Sequence, residues 1–243
     1  MQSSAPALPL SQLALCLLPV LFVVWLMQRQ AGRGKETLIA SGRMLLQLSL
    51  VGYVLVYLFA LDNAWPVLAV LSFMLLMAGW ISLRPLGKKR GAHLKYALWA
   101  LLGGPGLLLI FVTQFVLPLH TWYEARFVIP LAGMILASSL NGLSVAAERY
   151  EREKSQGTKS INASPQAMRA GMIGITNSFL AVGLVTFPGM MTGQILAGVS
   201  PLLASRYQMM VMCVLFSGTG IAISIYLWAV RRADASESTT SIN

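Results

Sequence analysis

Histidine and cysteine are scarce, with two of each among 243 residues, and charge is sparse too: only 11% of the chain is Asp, Glu, Lys or Arg, against about 25% in a soluble domain. His93 sits in a basic loop and His120 at the end of an apolar run, so no histidine pair at helical spacing can hold zinc. This excludes an intramembrane metalloprotease. Neither His nor Lys lies inside any apolar run, which leaves a membrane serine protease without its base. No lysine follows Lys159, so a retinal-binding last helix is excluded as well. A phosphate-cradling loop is also missing, because Gly157-Thr158-Lys159-Ser160 lacks the first glycine and the preceding strand that such a loop needs. The chain therefore carries no catalytic residues and no ATP site of its own. Cys16 and Cys213 fall within apolar runs and read as small apolar fillers rather than a disulfide framework.

What the chain has in quantity is apolar sequence: 56% of residues are hydrophobic and the mean hydropathy is +0.69. Seven runs, near 8–27, 44–61, 65–83, 96–117, 128–147, 172–198 and 207–230, are long enough to cross a hydrocarbon core of about 30 Å as helices. The expected fold is thus all-α, a polytopic membrane protein of about seven transmembrane helices. It forms a single transmembrane domain over 1–232, followed by a polar, Ser/Thr-rich tail over 233–243 that reads as disordered. The formal net charge is +10. Its placement points to membrane topology and not to nucleic acid, because 16 of the 18 Lys and Arg fall in alternate connections or just after the last run, and only Arg126 and Arg206 lie opposite. The positive-inside rule then puts the amino terminus outside and the carboxyl terminus in the cytoplasm.

The connection after the fifth run opens as a helix extension, with Glu148 and Arg152 paired four apart, and Gln156-Gly157-Thr158 ends it. Ser164 suits an N-cap and Pro165 the first position of a short cytoplasmic helix running through Gln166, Ala167, Met168 and Arg169. This extension is either an ordinary solvated surface or a docking surface. In the fourth run, Gly103-Gly104-Pro105-Gly106 predicts a kink or a re-entrant bend.

The most informative stretch is in the sixth run, where Pro188, Gly189, Met190, Met191, Thr192, Gly193 and Gln194 place a helix breaker, glycines and polar groups inside apolar sequence. Pro188 leaves a carbonyl without its helical donor, a fault that lipid penalises. An interrupted helix is expected, serving as a helix interface or a transport path. Gly189, Gly193 and Ala197 share one helix face and would permit close backbone approach. No ionisable residue lies deep in a run, so a gradient-driven carrier has no carboxylate relay. The intramembrane polar candidates are Gln47, Gln114, Asn141, Asn177, Thr192, Gln194 and Gln208, which either bond between helices or line a path. Met190, Met191, Met209, Met210 and Met212 either pack or present soft sulfurs to a metal, and no metal ligand set is assigned.

Three blocks of sequence resemble the FetB family of membrane permeases: residues 42–55, residues 129–135, and the stretch from Asn177-Ser178 through Pro188-Gly189-Met190-Met191-Thr192-Gly193-Gln194 to Arg206-Tyr207-Gln208. The resemblance implies the permease subunit of an ATP-binding-cassette iron exporter in the inner membrane. It further implies a permease homodimer coupled to a separate ATPase that holds ATP and Mg; on that reading residues 164–169 are the candidate coupling helix and 188–194 the candidate hinge. Asn162-Ala163-Ser164-Pro165 stands where the family's cytoplasmic helix begins, in a connection shorter than the family's. A non-transporting membrane scaffold or a seven-helix receptor is the alternative.

Overall fold

The computed structural model describes residues 9–32, 34–61 and 63–240, together with the side chains among them except those of 10 and 237–240. Leu8, Arg33, Asp62 and residues 241–243 of the expected tail lie outside the described residues. The described chain is almost wholly helical. Six helices or helical runs within it are long and apolar enough to cross a membrane: Ser11–Ala31, Gly34–Ala60, Ala64–Ser82, Arg84–Val116, Ala125–Ser155 and Pro201–Ser236. The all-α membrane fold is therefore as expected. The sixth predicted run is the exception, being broken.

Within the expected transmembrane region the chain divides into two compact units, Met1–Asp62 and Asn63–Asn243. The first unit comprises α1 (Leu10–Leu15), α2 (Leu17–Ala31) and α3 (Gly34–Ala60). Gly32 ends α2 with φ +64°, and the Gly34 N–H donates to the Gln28 side-chain oxygen at 3.0 Å, fixing the turn between α2 and α3.

The second unit starts where the Asn63 side chain caps α4 (Ala64–Ser82), accepting from the Trp65 N–H at 3.0 Å. A 3-10 turn (Arg84–Lys89) leads into α5 (Arg90–Leu101), a π turn (Leu102–Gly106), α6 (Leu107–Phe111) and a second π turn (Val112–Val116). The glycine-proline cluster thus makes neither a re-entrant bend nor a break. Pro105 has no N–H, and the Leu107 N–H reaches back to Leu102 O, widening the helix by one residue. The widening presses Gly104 against α10 (Pro201–Thr240), where an added Cβ would lie 2.8 Å from Ala222 N and 3.0 Å from Gly218 O.

Between these elements run α7 (Ala125–Ser155), α8 (Ser160–Ala181) and α9 (Gly189–Leu196). Gly157, at φ +83°, ends α7 in a Schellman motif: its own N–H bonds to Lys154 O and the Thr158 N–H to Glu153 O. Small residues at every fourth position, Ala163, Ala167 and Gly171 on α8 and Gly142 and Ala146 on α7, are buried at the seam between the two helices. The backbones meet at Gly171, where a Cβ would stand 2.7 Å from Gly142 O and 2.9 Å from Ala146 Cβ. Cys16 and Cys213 are both exposed rather than filling a core.

The tail read as disordered begins as helix. The last turns of α10 carry Asp234, whose Oδ2 accepts from Tyr150 Oη at 2.7 Å and Ser160 Oγ at 2.8 Å and pairs with Lys154 Nζ at 3.1 Å. Composition reports polarity alone and does not register these partners, which lie 74 to 84 residues away for the two hydroxyls.

Gly171→Ala should lower the melting temperature in detergent, the clash costing about 1–3 kcal/mol. Gly174→Ala, on the same helix and with nothing within 4 Å of its added Cβ, should not. Both share the helix-propensity gain of about 1 kcal/mol, so equal melting of the two variants would refute the seam.

Candidate functional site

The sixth predicted crossing consists of the second half of α8, a non-helical link at 182–188, and α9. An eight-residue helix such as α9 is about 12 Å long, well short of the bilayer core. The break satisfies part of its own backbone. Ala181 O accepts from the N–H groups of Leu184, Val185 and Thr186, at 3.2, 2.8 and 3.1 Å, and the Gly183 N–H donates to Thr186 O at 3.0 Å. Gly183 reaches φ +80°, a conformation that a side chain disfavours. Leu184, Val185 and Phe187 remain largely exposed.

Pro188 occupies the N-cap of α9, so its missing N–H falls where no helical bond is required. The interruption therefore precedes the proline. Pro188 O in turn accepts from the backbone N–H of Thr192 at 3.0 Å and from its hydroxyl at 3.2 Å. At the far end, Gly198 adopts φ +91° and closes α9 with a second Schellman motif, Gly198 N–H to Ile195 O and Val199 N–H to Gln194 O.

A cavity of about 590 Å³ lies among α7, α8, the link, α9 and α10. Its wall includes Met134, Ser138, Asn141 and Gly142 from α7, Gly171, Gly174 and Ser178 from α8, Thr186, Pro188, Gly189 and Met190 around the break, and Gln208, Met212 and Thr219 from α10. No charged side chain is among the lining residues. Ser138 Oγ and Thr219 Oγ1 hydrogen-bond at 2.9 Å, and Ser178 Oγ donates to Gly174 O at 3.0 Å. Gln208 is only 6% exposed, and its Oε1 is buried with no hydrogen-bond partner. A second, apolar cavity of about 270 Å³ shares Gln208 and Met212 and adds Phe187, Met191 and Met209.

The residues singled out from sequence separate at this point. Pro188, Gly189 and Met190 line the larger cavity, and Met191 lines the smaller. Gln194 Oε1 is buried without a partner. Gly189 and Gly193 are exposed, with nothing within 4 Å of an added Cβ, so the expected close approach on that face does not occur within this chain. It occurs at Gly142 and Gly171 instead. Of the polar candidates, Gln208 and Asn141 reach the cavity, Asn177 is exposed on α8, and Gln47 lies on α3 in the first unit. Ser138, Thr219 and Met134 were missed, since nothing in the sequence marks them off from ordinary packing residues.

The coupling segment also differs from expectation. Ser164 caps nothing: α8 starts at Ser160, and the Ser164 hydroxyl, buried, bonds to Ser160 O at 3.0 Å. Pro165 sits inside the helix with its ring exposed. Ala167 is buried and Met168 packs on the same core, while Gln166 accepts from Arg149 at 2.9 Å and Arg169 is exposed. The segment is the first half of one continuous 22-residue helix whose second half enters the broken crossing.

The chain is similar to known proteins over most of its length. The family described as Uncharacterised protein family (UPF0014) matches residues 10–233. A UPF0014 membrane protein of Synechocystis, slr1647, is 38% identical over 73% of this chain and 74% of its own length. The Escherichia coli protein named "Probable iron export permease protein FetB" is 30% identical over 88% of both chains. The UPF0014 membrane protein STAR2 of rice is 29% identical over 82% of this chain and 74% of its own length. No solved structure matches. With motif blocks, helical membrane fold and family match in agreement, the chain belongs to the UPF0014 family of multi-pass membrane proteins, which includes the FetB permease.

Proposed function

We propose that this chain is the permease subunit of an ATP-binding-cassette transporter that exports a metal ion, driven by a separate ATPase holding ATP and Mg. The cavity at the broken crossing carries this reading, because lipid tolerates irregular backbone at membrane depth only where it is covered by protein or lines a cavity. Iron is the cargo stated in the name of the Escherichia coli relative. The amino terminus would face outward and the Lys/Arg-rich connections the cytoplasm. There the exposed face of α8, with Pro165, Gln166 and Arg169, would meet the ATPase. The exposed face of Gly189, Gly193 and Ala197 would serve the contact between two permease copies. A seven-helix receptor gains no support from a sixth crossing in two pieces.

Three outcomes are expected. The chain purified from native membranes should bring down a nucleotide-binding subunit, and vesicles holding both should move iron only with ATP; absence of any ATPase from the purified material would remove the transporter reading. Gly193→Leu should insert and melt like the parent, as nothing lies within 4 Å of the new Cβ, yet lose dimer and flux; normal flux would refute the contact face. Gln208→Leu breaks no hydrogen bond to Oε1, so its melting temperature should equal or exceed the parent's, while flux falls. A large loss of stability would show that the amide is a structural tie instead.

A further inference from the structure

The larger cavity brings together thioethers from three separate helices: Met134 on α7, Met190 on α9 and Met212 on α10. They come from positions far apart in the sequence and line the same cavity as the Asn141 and Gln208 amides, while Met134 and Met190 also pack against the apolar cluster of Val112, Leu131 and Val211. The Gln208 residue is 6% exposed and its Oε1 lacks a partner, so the wall holds a buried acceptor that the protein leaves unmatched. Three of the other polar side chains on the wall are already engaged, Ser138 and Thr219 with each other and Ser178 with Gly174 O.

Charge narrows what such a wall can hold. No Asp, Glu, Cys or His lines the cavity, so an ion entering bare gains no anionic ligand. The cost of taking an ion out of water grows with the square of its charge, which penalises divalent and trivalent ions far more than monovalent ones. Donor softness selects in the same direction, since thioether sulfur favours Cu(I)-like ions over hard oxygen-seeking ones. We infer that the cavity is a binding site for a bare, soft, monovalent metal cation, held by the sulfurs of Met134, Met190 and Met212 with amide oxygen from Gln208. Iron, on this chemistry, crosses only with its own anionic ligands around it. The site is a property of the cavity, while its role as cargo site rests on the permease reading above.

Silver(I) is the redox-stable probe. The purified chain, in a Cys16→Ser/Cys213→Ser background that removes the thiols, is loaded with Ag(I), desalted and analysed for retained metal. About one silver ion per chain should remain, and the same protocol with Fe(II) or Zn(II) should leave none. Met134→Leu/Met190→Leu/Met212→Leu should reduce retained silver to the buffer level. Met191, Met209 and Met210 stay in place in that variant as internal controls for adventitious sulfur. Met-to-Leu exchange conserves volume; if the triple variant nevertheless aggregates, the single variants decide, each expected to weaken retention. Silver held equally well after the Met changes, or Fe(II) or Zn(II) held in preference, overturns the site. Because the assay contains no ATPase, silver binding without a co-purifying ATPase would sink the permease reading and leave the site standing, and the reverse result would do the opposite.

Discussion

The second unit depends on one close approach: the backbones of α7 and α8 touch at Gly142 and Gly171, with Thr219 and Ile223 of α10 against the same point. Without a hydrophobic drive between helices in lipid, association rests on packing, and packing is tightest where side chains vanish. An added methyl at Gly142 would lie 2.5 Å from Thr219 Cγ2 and 3.0 Å from Gly171 O, so the seam tolerates no side chain from either helix. The same residues, Gly142, Gly171 and Thr219, also form part of the cavity wall. The contact that joins the three helices therefore bounds the space between them, and anything that loosened the seam would change the cavity's shape.

Lipid imposes the second constraint. A chain that leaves the helix at Ala181 exposes donors and acceptors, and the link meets three of its donors by gathering their N–H groups on the single carbonyl of Ala181. Pro188 and Gly198 then start and stop α9 at little conformational cost, the first with its ring at the N-cap and the second with its left-handed backbone. The result is a short helix held at both ends by local bonds and bordered by two cavities. This is the arrangement by which half-helices in transporters place irregular backbone beside a path.

Much of this is legible in the sequence, though not always at the right place. Hydropathy locates the crossings because lipid demands about twenty apolar residues of any helix that spans it. Pro188 and its glycines mark an interruption, and the helix does break; but the break falls at 182–188, before the proline, because Pro188 is better used at an N-cap than mid-helix. Gly103 to Gly106 carries an equally strong signal and yields only a π turn, in which α10 packs against Gly104 and the Leu107 N–H bonds to Leu102 O. The small-residue rule holds while its first application misleads: Gly189, Gly193 and Ala197 face outward, whereas Ala163, Ala167 and Gly171, equally spaced and equally visible, form the seam. Spacing reports that a face is smooth and carries no information about which partner covers it. Ser138, Thr219 and Met134 were invisible for a similar reason, being gathered from helices that only the tertiary structure brings together.

The two ends of the second unit differ in how firmly they are tied, and this bears on how an external motor would act. At the Lys/Arg-rich end, Asp234 of α10 collects Tyr150 and Lys154 of α7 and Ser160 of α8, while His93 of α5 bonds Tyr226 of α10 at 2.8 Å and lies 3.7 Å from the Glu151 carboxylate of α7. Four helices are thus cross-linked through polar side chains within a few turns of one another. At the broken end the link is tied by local backbone bonds, Met190 packs against the cluster that includes Val211 and Val214 of α10, Phe179 meets Phe216, and Leu184, Val185 and Phe187 are exposed. Because Ser164 and Ala167 are buried in the α7 seam, a push on the exposed face around Arg169 would not tilt α8 alone. It would move α7 and α8 as one body, with the end of α10 carried along through Asp234. Relative motion would then concentrate where cross-links are fewest, at the link and α9, which is where the cavity lies.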